Sequence, residues 1–167
     1  MEPPDAFHLR AAQGWLELGN VAEAMSEIEG LSPDLQSDPE VLKLRLECHA
    51  HRKQWAEALE LAAALIQNHP EDPLGWFHRS YCLHELKRTE EARDNLLRVV
   101  DKFPAATMRY NLACYECQLG RLDQARSWLR KAMDMGDIER IRRTALEDRD
   151  LQPLWAEIRQ WGLPSHH

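Results

Sequence analysis

A pattern that recurs four times at a spacing of about 34 residues constrains this chain more than any other feature of its sequence. Four short segments share one pattern with an alanine at the third position, and apolar positions return four to eight residues after each alanine. These alanines are Ala24, Ala58, Ala92 and Ala125, spaced by 34, 34 and 33 residues. Self-similarity at a period of roughly 20–50 residues is typical of stacked repeat architectures. We therefore expect a row of similar units, each of which buries its apolar face against its neighbours.

Within each period the residues favour two helices joined by a short turn. Asp38 and Asp72 are each followed by proline, which is typical of an N-cap residue before the first helical turn. Gly19 and Gly120 suit helix C-termini. A small residue is needed where two helices cross closely, because a larger side chain would force the axes apart. The four alanines are therefore predicted to mark buried helix crossings.

These residues resemble the tetratricopeptide repeat (TPR) family, whose unit is a 34-residue pair of antiparallel helices. The resemblance rests on the four alanines, on small residues twelve positions before three of them, on Trp76, on the turn glycines and on the prolines that close helical stretches. Lys53 and Lys87 stand where the family usually has glycine. The resemblance implies an all-α fold, a right-handed TPR superhelix (α-solenoid) of about four helix hairpins plus C-terminal capping helices.

We expect residues 1–167 to form a single TPR domain. The expected boundaries are repeats at approximately 5–36, 39–70, 73–104 and 106–136, followed by capping helices over 137–163. The end of the chain resembles the variant that closes bacterial TPR arrays. Its first capping helix is expected to turn Ile138, Ile141 and Leu146 inward, since a terminal repeat otherwise leaves one face open to water.

Charge and composition exclude several classes of function. Acidic residues outnumber basic ones 28 to 21, and a chain with this net charge of −7 is a poor binder of nucleic acid. No apolar run approaches the roughly 20 residues that cross a bilayer, so no membrane association is expected. The first five residues lack the features of a secretory signal, which predicts a cytoplasmic protein. Its four cysteines are then expected to be reduced thiols.

The chain shows no pattern typical of an enzyme. Glycine-rich phosphate loops, metalloprotease motifs and nucleophile elbows are absent from the sequence. Cys114 and Cys117 form a C-x-x-C pair in the middle of a predicted helix, and His51 and His84 fall at equivalent positions of neighbouring repeats. A structural zinc usually has four ligands at characteristic spacings, which this pair does not provide by itself. We expect two packed thiols, no catalytic residue, no cofactor and no metal, with a metal- or redox-linked regulator as the alternative.

In TPR proteins the concave groove draws on fixed positions of the first helix of each repeat. The resemblance implies these groove residues, in chain order: Leu9, Gln13, Leu16, Lys43, Glu47, His51, Phe77, Tyr81, His84, Glu85, Tyr110, Cys114, Cys117 and Gln118. Phe77, Tyr81 and Tyr110 are expected to form an aromatic strip with polar tips, which is typical of interface anchors. The alternative is that Phe77 or Tyr110 turns into the helix pair and serves only packing.

The expected function is a non-catalytic protein–protein interaction module that binds a peptide or helix of a partner in this groove. The clamp for heat-shock-protein tails is absent, since Leu9 and Gln13 stand where that clamp has Lys and Asn. A secretion-type chaperone is a second alternative, although those TPR chaperones lack the closing variant. A basic cluster near the C-terminus is a further candidate surface for an acidic partner. It consists of Arg126, Arg130, Lys131, Arg140, Arg142 and Arg143.

Overall fold

The computed structural model describes residues 3–161, and in that range the chain is helical with no β-strand. The helices are α1 (Pro3–Glu17), α2 (Val21–Glu29), α3 (Pro39–His51), α4 (Trp55–Asn68), α5 (Pro73–Glu85), α6 (Thr89–Leu97), α7 (Ala106–Gln118), α8 (Leu122–Met135), α9 (Ile138–Glu147) and α10 (Trp155–Gln160). Two 3₁₀ segments, Pro33–Leu35 and Arg149–Leu154, complete the regular structure. The last two residues of the predicted capping region, 162 and 163, lie outside the described residues.

The chain divides into two compact units, Met1–Leu86 and Lys87–His167. Unit 1 contains α1 to α5, and unit 2 contains α6 to α10. Within the units, α1 packs on α2, α3 on α4, and α7 on α8, as expected for helix hairpins. None of the helices in the described range is both long and apolar enough to cross a bilayer.

The four periodic alanines are buried, as predicted. Each of them is fully buried. In unit 1, Ala24 belongs to a core cluster of α1, α2 and α3, and Ala58 to a second cluster of α3, α4 and α5. Closely packed interiors leave no space for a larger side chain at such positions. The sequence period therefore identifies four positions of the buried core.

The helix boundaries follow from local capping. The side chains of Asp38 and Asp72 accept hydrogen bonds from the backbone N–H groups of Glu40 and Leu74, which confirms both predicted N-caps. Each bond satisfies one of the donors that the first helical turn leaves without a partner. The proline after each aspartate occupies a position where the missing N–H costs nothing.

The turns between paired helices share one backbone feature. Gly19 and Gly120 have φ values of 77° and 78°, and Lys53 and Lys87 have φ values of 58° and 66° at the matching places. All four residues are therefore left-handed. Glycine adopts this conformation without steric cost, whereas a side chain brings its Cβ close to the following carbonyl. The two lysines are strained relative to the glycines.

The C-terminal cap consists of α9, the 3₁₀ segment Arg149–Leu154 and α10. Leu151, Leu154 and Ile158 are fully buried, so the cap shares the core of unit 2. The prediction that Ile138 turns inward is wrong, because 51% of its surface is exposed. Ile138 is the first residue of α9 and borders an open depression at that end of the helix, and Ala145 is the residue of α9 that is fully buried.

Candidate functional site

The first helices of unit 1 form an open groove of about 450 Å³, hereafter the unit-1 groove. Its lining residues are Gln13, Leu16 and Glu17 of α1, Glu40, Lys43, Leu44, Glu47 and His51 of α3, and Leu74 of α5. The structure thus brings together five of the residues expected from the resemblance, namely Gln13, Leu16, Lys43, Glu47 and His51. Their role in binding stays a prediction.

The unit-1 groove combines an apolar floor with a polar rim. Leu16 and Leu44 are buried members of the core cluster, so their positions are set by packing of α1, α2 and α3. Gln13, Glu17 and His51 are exposed at the rim. An apolar floor surrounded by polar groups is the usual anatomy of a surface that binds another polypeptide.

Lys43 is held within unit 1 by its own ion pairs. Its Nζ lies 2.8 Å from Oδ2 of Asp72 and 3.2 Å from Oε1 of Glu40. The hydrogen bond to Asp72 raises the pKa of Lys43. Burial alone would raise the pKa of Asp72, but the hydrogen bonds from Lys43 and from the Leu74 N–H hold it below its usual value. The charge of Lys43 is therefore largely neutralised by these internal partners.

Glu47 differs from the other carboxylates of the unit-1 groove. Its side chain is half-buried. Among the described residues, none donates a hydrogen bond to its carboxylate or forms an ion pair with it. Burial raises the pKa of Glu47, and the nearby His51 opposes that rise. A carboxylate that has lost hydration without gaining a donor is a favourable position for an external donor.

Four residues of the unit-1 groove were absent from the sequence expectation. Glu17 follows Gln13 by one helical turn, and Glu40 and Leu44 lie one turn from residues that were expected. The spacing of three and four residues along α1 and α3 would have identified these three. Leu74 lies on α5, and its approach to the groove depends on tertiary packing that no local spacing reveals.

The other expected residues of unit 1 lie outside this lining. Leu9 is half-buried and packs against the first core cluster. Tyr81 is 40% exposed, and its ring meets that of Trp55 edge to face at 5.6 Å between centroids. Phe77 is half-buried, with its ring 5.3 Å from that of His78. His84 and Glu85 are half-buried near the end of α5.

The expected groove residues of unit 2 contact the chain's own cap. The Tyr110 hydroxyl donates a hydrogen bond of 2.8 Å to Oδ2 of Asp148, and the Cys114 thiol reaches the same oxygen at 3.6 Å. Gln118 Nε2 donates to the carbonyl oxygen of Asp150 at 2.9 Å. This face of α7 is therefore occupied by the segment that joins α9 to the 3₁₀ turn.

The thiols of unit 2 are buried in that contact. Cys114 and Cys117 are both buried, and burial raises the pKa of each, with Asp148 and Asp150 contributing in the same direction. Among residues 3–161, the ligand atoms of Cys114, Asp148 and Asp150 lie within 4.8 Å of one another. Asp148 already accepts hydrogen bonds from Tyr110 and from the Asp150 N–H. These contacts indicate that the group holds α7 and the cap together.

Most of the basic cluster is engaged inside unit 2. Arg126 donates two hydrogen bonds to the Glu157 carboxylate, at 2.6 and 2.8 Å. Arg142 donates to backbone carbonyls of α10. Arg130 lies 4.8 Å from the ring centroid of Trp161, and Lys131 lies 4.6 Å from that of Trp128. The contacts of Arg126, Arg130 and Arg142 attach α8 and α9 to α10 and the residue after it, whereas Lys131 and Trp128 both lie on α8. These contacts favour a structural role for the four basic side chains.

Comparison with known proteins gives a consistent family assignment. A family model described as tetratricopeptide repeat matches residues 50–104 and 86–138, which together span more than half of the chain. None of the curated proteins matches this sequence.

Solved structures agree at the level of the fold. MamA 41-end from Desulfovibrio magneticus RS-1 is 18% identical, with a TM-score of 0.75 over 96% of this chain and 93% of that chain. Another crystal structure of MamA protein is 14% identical with a TM-score of 0.71, and both chains are covered completely. A chain of the APC/C hetero-tetramer Cut9-Hcn1 is 14% identical with a TM-score of 0.70, over 90% of this chain and 29% of that one. The protein described here is a member of the tetratricopeptide repeat family, with the all-α solenoid fold of that family.

Proposed function

We propose that this protein is a non-catalytic interaction module that binds a peptide or a helix of a partner protein in the unit-1 groove. The observation that carries the proposal is the groove itself, in which Leu16 and Leu44 form an apolar floor below a polar rim. Helix-in-groove binding uses this combination, because apolar side chains supply affinity and rim groups set orientation. The four free cysteines fit a reducing compartment, which supports a cytoplasmic location.

The aromatic residues of α5 extend this surface in the proposal. Phe77 and Tyr81 follow the groove residue Leu74 by three and seven positions, a spacing that places all three on one face of α5. The exposed part of Tyr81 offers an aromatic anchor of the kind that contributes most to interface affinity. The matching face of α7 in unit 2 is less suitable, since Tyr110 and Gln118 are bound to the cap.

Site-specific photo-crosslinking tests the proposal. A photoreactive phenylalanine derivative replaces Gln13 or His51 at the groove rim, and Gln67 on the exposed side of α4 serves as the control position. In the cells that produce the protein, we expect discrete crosslinked partners from both rim positions and none from Gln67. Adding Phe77→Ala and Tyr81→Ala is expected to remove those crosslinks while the helical circular dichroism signal is kept.

Crosslinks that arise only from Gln67 would contradict the proposal. So would crosslinks that arise only from Arg143, an exposed residue of α9. The second pattern would move the binding surface to the C-terminal cap.

A further inference from the structure

The two units differ sharply in charge. Unit 1, which contains the groove, has 15 acidic and 6 basic side chains and a net charge of −9. Unit 2 has 13 acidic and 15 basic side chains and a net charge of +2. A charge imbalance of this size steers oppositely charged molecules toward one part of a surface and raises their association rate.

Negative charge also predominates inside the unit-1 groove. Its lining carries the carboxylates of Glu17, Glu40 and Glu47 and one permanent cation, Lys43. The ammonium group of Lys43 forms ion pairs with both Glu40 and Asp72. The pair with Asp72 brings a further carboxylate next to α3. Glu17 and Glu47 have no ion-pair partner among the described residues, so a partner meets a groove with excess negative charge.

Within the groove, the excess negative charge is most exposed to a partner's influence at Glu47. It is half-buried beside the apolar floor, where burial already raises its pKa because the charged form has lost hydration. An ammonium or guanidinium group at hydrogen-bond distance would restore the lost stabilisation. An acidic side chain at the same place would add like-charge repulsion and a desolvation cost.

We propose that the unit-1 groove selects a cationic amphipathic segment, in which Lys or Arg side chains meet Glu47 and Glu17 and an aliphatic side chain covers Leu16 and Leu44. The inference rests on the proposed function of this groove and adds the chemistry of its partner. Charge supplies the selection and the apolar floor supplies contact area, since rim charges alone contribute little affinity.

Two synthetic peptides test the selection directly. Both are amphipathic helices of about 16 residues with leucine at positions i, i+3, i+4 and i+7, and one has lysine where the other has glutamate. Binding of each fluorescent peptide to the full chain is followed by anisotropy at low salt and at about 0.3 M salt. We expect the lysine peptide to bind, its affinity to fall with salt, and the glutamate peptide to bind at least about tenfold more weakly.

Two double variants separate the groove from the general charge of unit 1. Glu17→Gln with Glu47→Gln removes two groove carboxylates. Glu57→Gln with Glu60→Gln removes two exposed carboxylates of α4 that do not line the groove, so the change in net charge is the same. We expect the groove pair to weaken binding of the lysine peptide by about tenfold or more, and the α4 pair by less than about threefold. Circular dichroism and thermal melting check that both variants fold.

Three results would overturn the inference: no binding of the lysine peptide, equal affinity for the two peptides, or equal losses in the two double variants. Failure of the proposed function has a separate signature. If the two peptides bind with equal affinity and Gln13→Trp, which blocks the rim, abolishes binding of both, the groove binds polypeptides and only the charge selection is wrong. If the rim positions give no crosslinks in cells, the proposed function itself is wrong.

Discussion

The Tyr110 hydroxyl donates a 2.8 Å hydrogen bond to the Asp148 carboxylate, a residue 38 positions further along the chain. Asp148 also caps the 3₁₀ segment through the Asp150 N–H, so one side chain both starts that segment and attaches it to α7. Burial raises the pKa of Tyr110, with the negative charge of Asp148 adding to the effect, so the phenol remains a proton donor. Tyr110, which the family resemblance placed in the groove, therefore attaches the C-terminal cap to α7 in unit 2.

This contact should contribute measurably to the stability of unit 2. Tyr110→Phe removes the donor and leaves a half-buried carboxylate with one fewer hydrogen bond, so we expect a loss of about 1–2 kcal/mol in the free energy of unfolding. A double-mutant cycle with Asp148→Asn, measured by urea denaturation, should give a coupling energy of about 1 kcal/mol. Additive effects of the two substitutions would show that the hydrogen bond contributes nothing.

At the two strained turns, substitution is expected to stabilise the protein. Lys53→Gly and Lys87→Gly place glycine at the left-handed positions, and each is expected to raise the free energy of unfolding by about 0.5–1 kcal/mol. Gly19→Ala is the matched control, because it introduces the same strain at an equivalent turn with open space around it and should destabilise by about 1 kcal/mol. Urea denaturation measures all three. A stabilising Gly19→Ala would contradict the left-handed conformation.

Local and periodic features of this fold were predictable from the sequence, and long-range polar contacts were not. The period located Ala24 and its equivalents, because burial at a helix crossing demands a small residue wherever the crossing recurs. Capping by Asp38 depends only on residues next to it in the chain, so the sequence predicted it equally well. The pairing of Lys43 with Asp72 joins two helices, and the pairing of Tyr110 with Asp148 joins a helix to the cap. A linear pattern does not contain such partners.

The same distinction applies to the candidate site. The family resemblance placed Gln13, Glu47 and His51 in one groove, and the four-residue spacing of Glu47 and His51 puts those two side chains on one face of α3. The family resemblance also placed Tyr110 in a groove, and it could not show that the cap occupies that face. Ile138 failed for a related reason, because the face of a helix end depends on what lies beyond it.

Acid should weaken the attachment of α1 to the turn after α2. The Asp5 carboxylate accepts hydrogen bonds from the Ser32 N–H at 2.9 Å and from the Ser32 hydroxyl at 2.8 Å, and the backbone bond is the main cause of its lowered pKa. Because the folded-state pKa lies below the ordinary 3.8, the stabilisation is complete above about pH 5 and is lost as the pH falls through the folded-state value.

Thermal melting of the native chain and of Asp5→Asn across this pH range tests that linkage. The native chain should melt at a higher temperature near neutral pH, and the difference should close as the pH falls through the lowered folded-state pKa of Asp5. Asp34→Asn, at an exposed carboxylate of the 3₁₀ segment Pro33–Leu35, is the control and should change the melting temperature little. A difference between Asp5→Asn and the native chain that stays constant with pH would contradict the lowered pKa.

The four thiols should be unreactive in the folded protein. All four cysteines are free and buried, and burial raises the pKa of each, to about 11 for Cys82. Since the thiolate is the reactive species, alkylation by iodoacetamide at about pH 8 should be at least about a hundredfold slower in the native state than in urea. Peptide mass spectrometry resolves the four sites, with the urea-unfolded chain as the reference for full reactivity. Rapid native labelling of Cys114 or Cys117 would mean that the cap opens away from α7, and that result would return the metal- or redox-linked alternative to consideration.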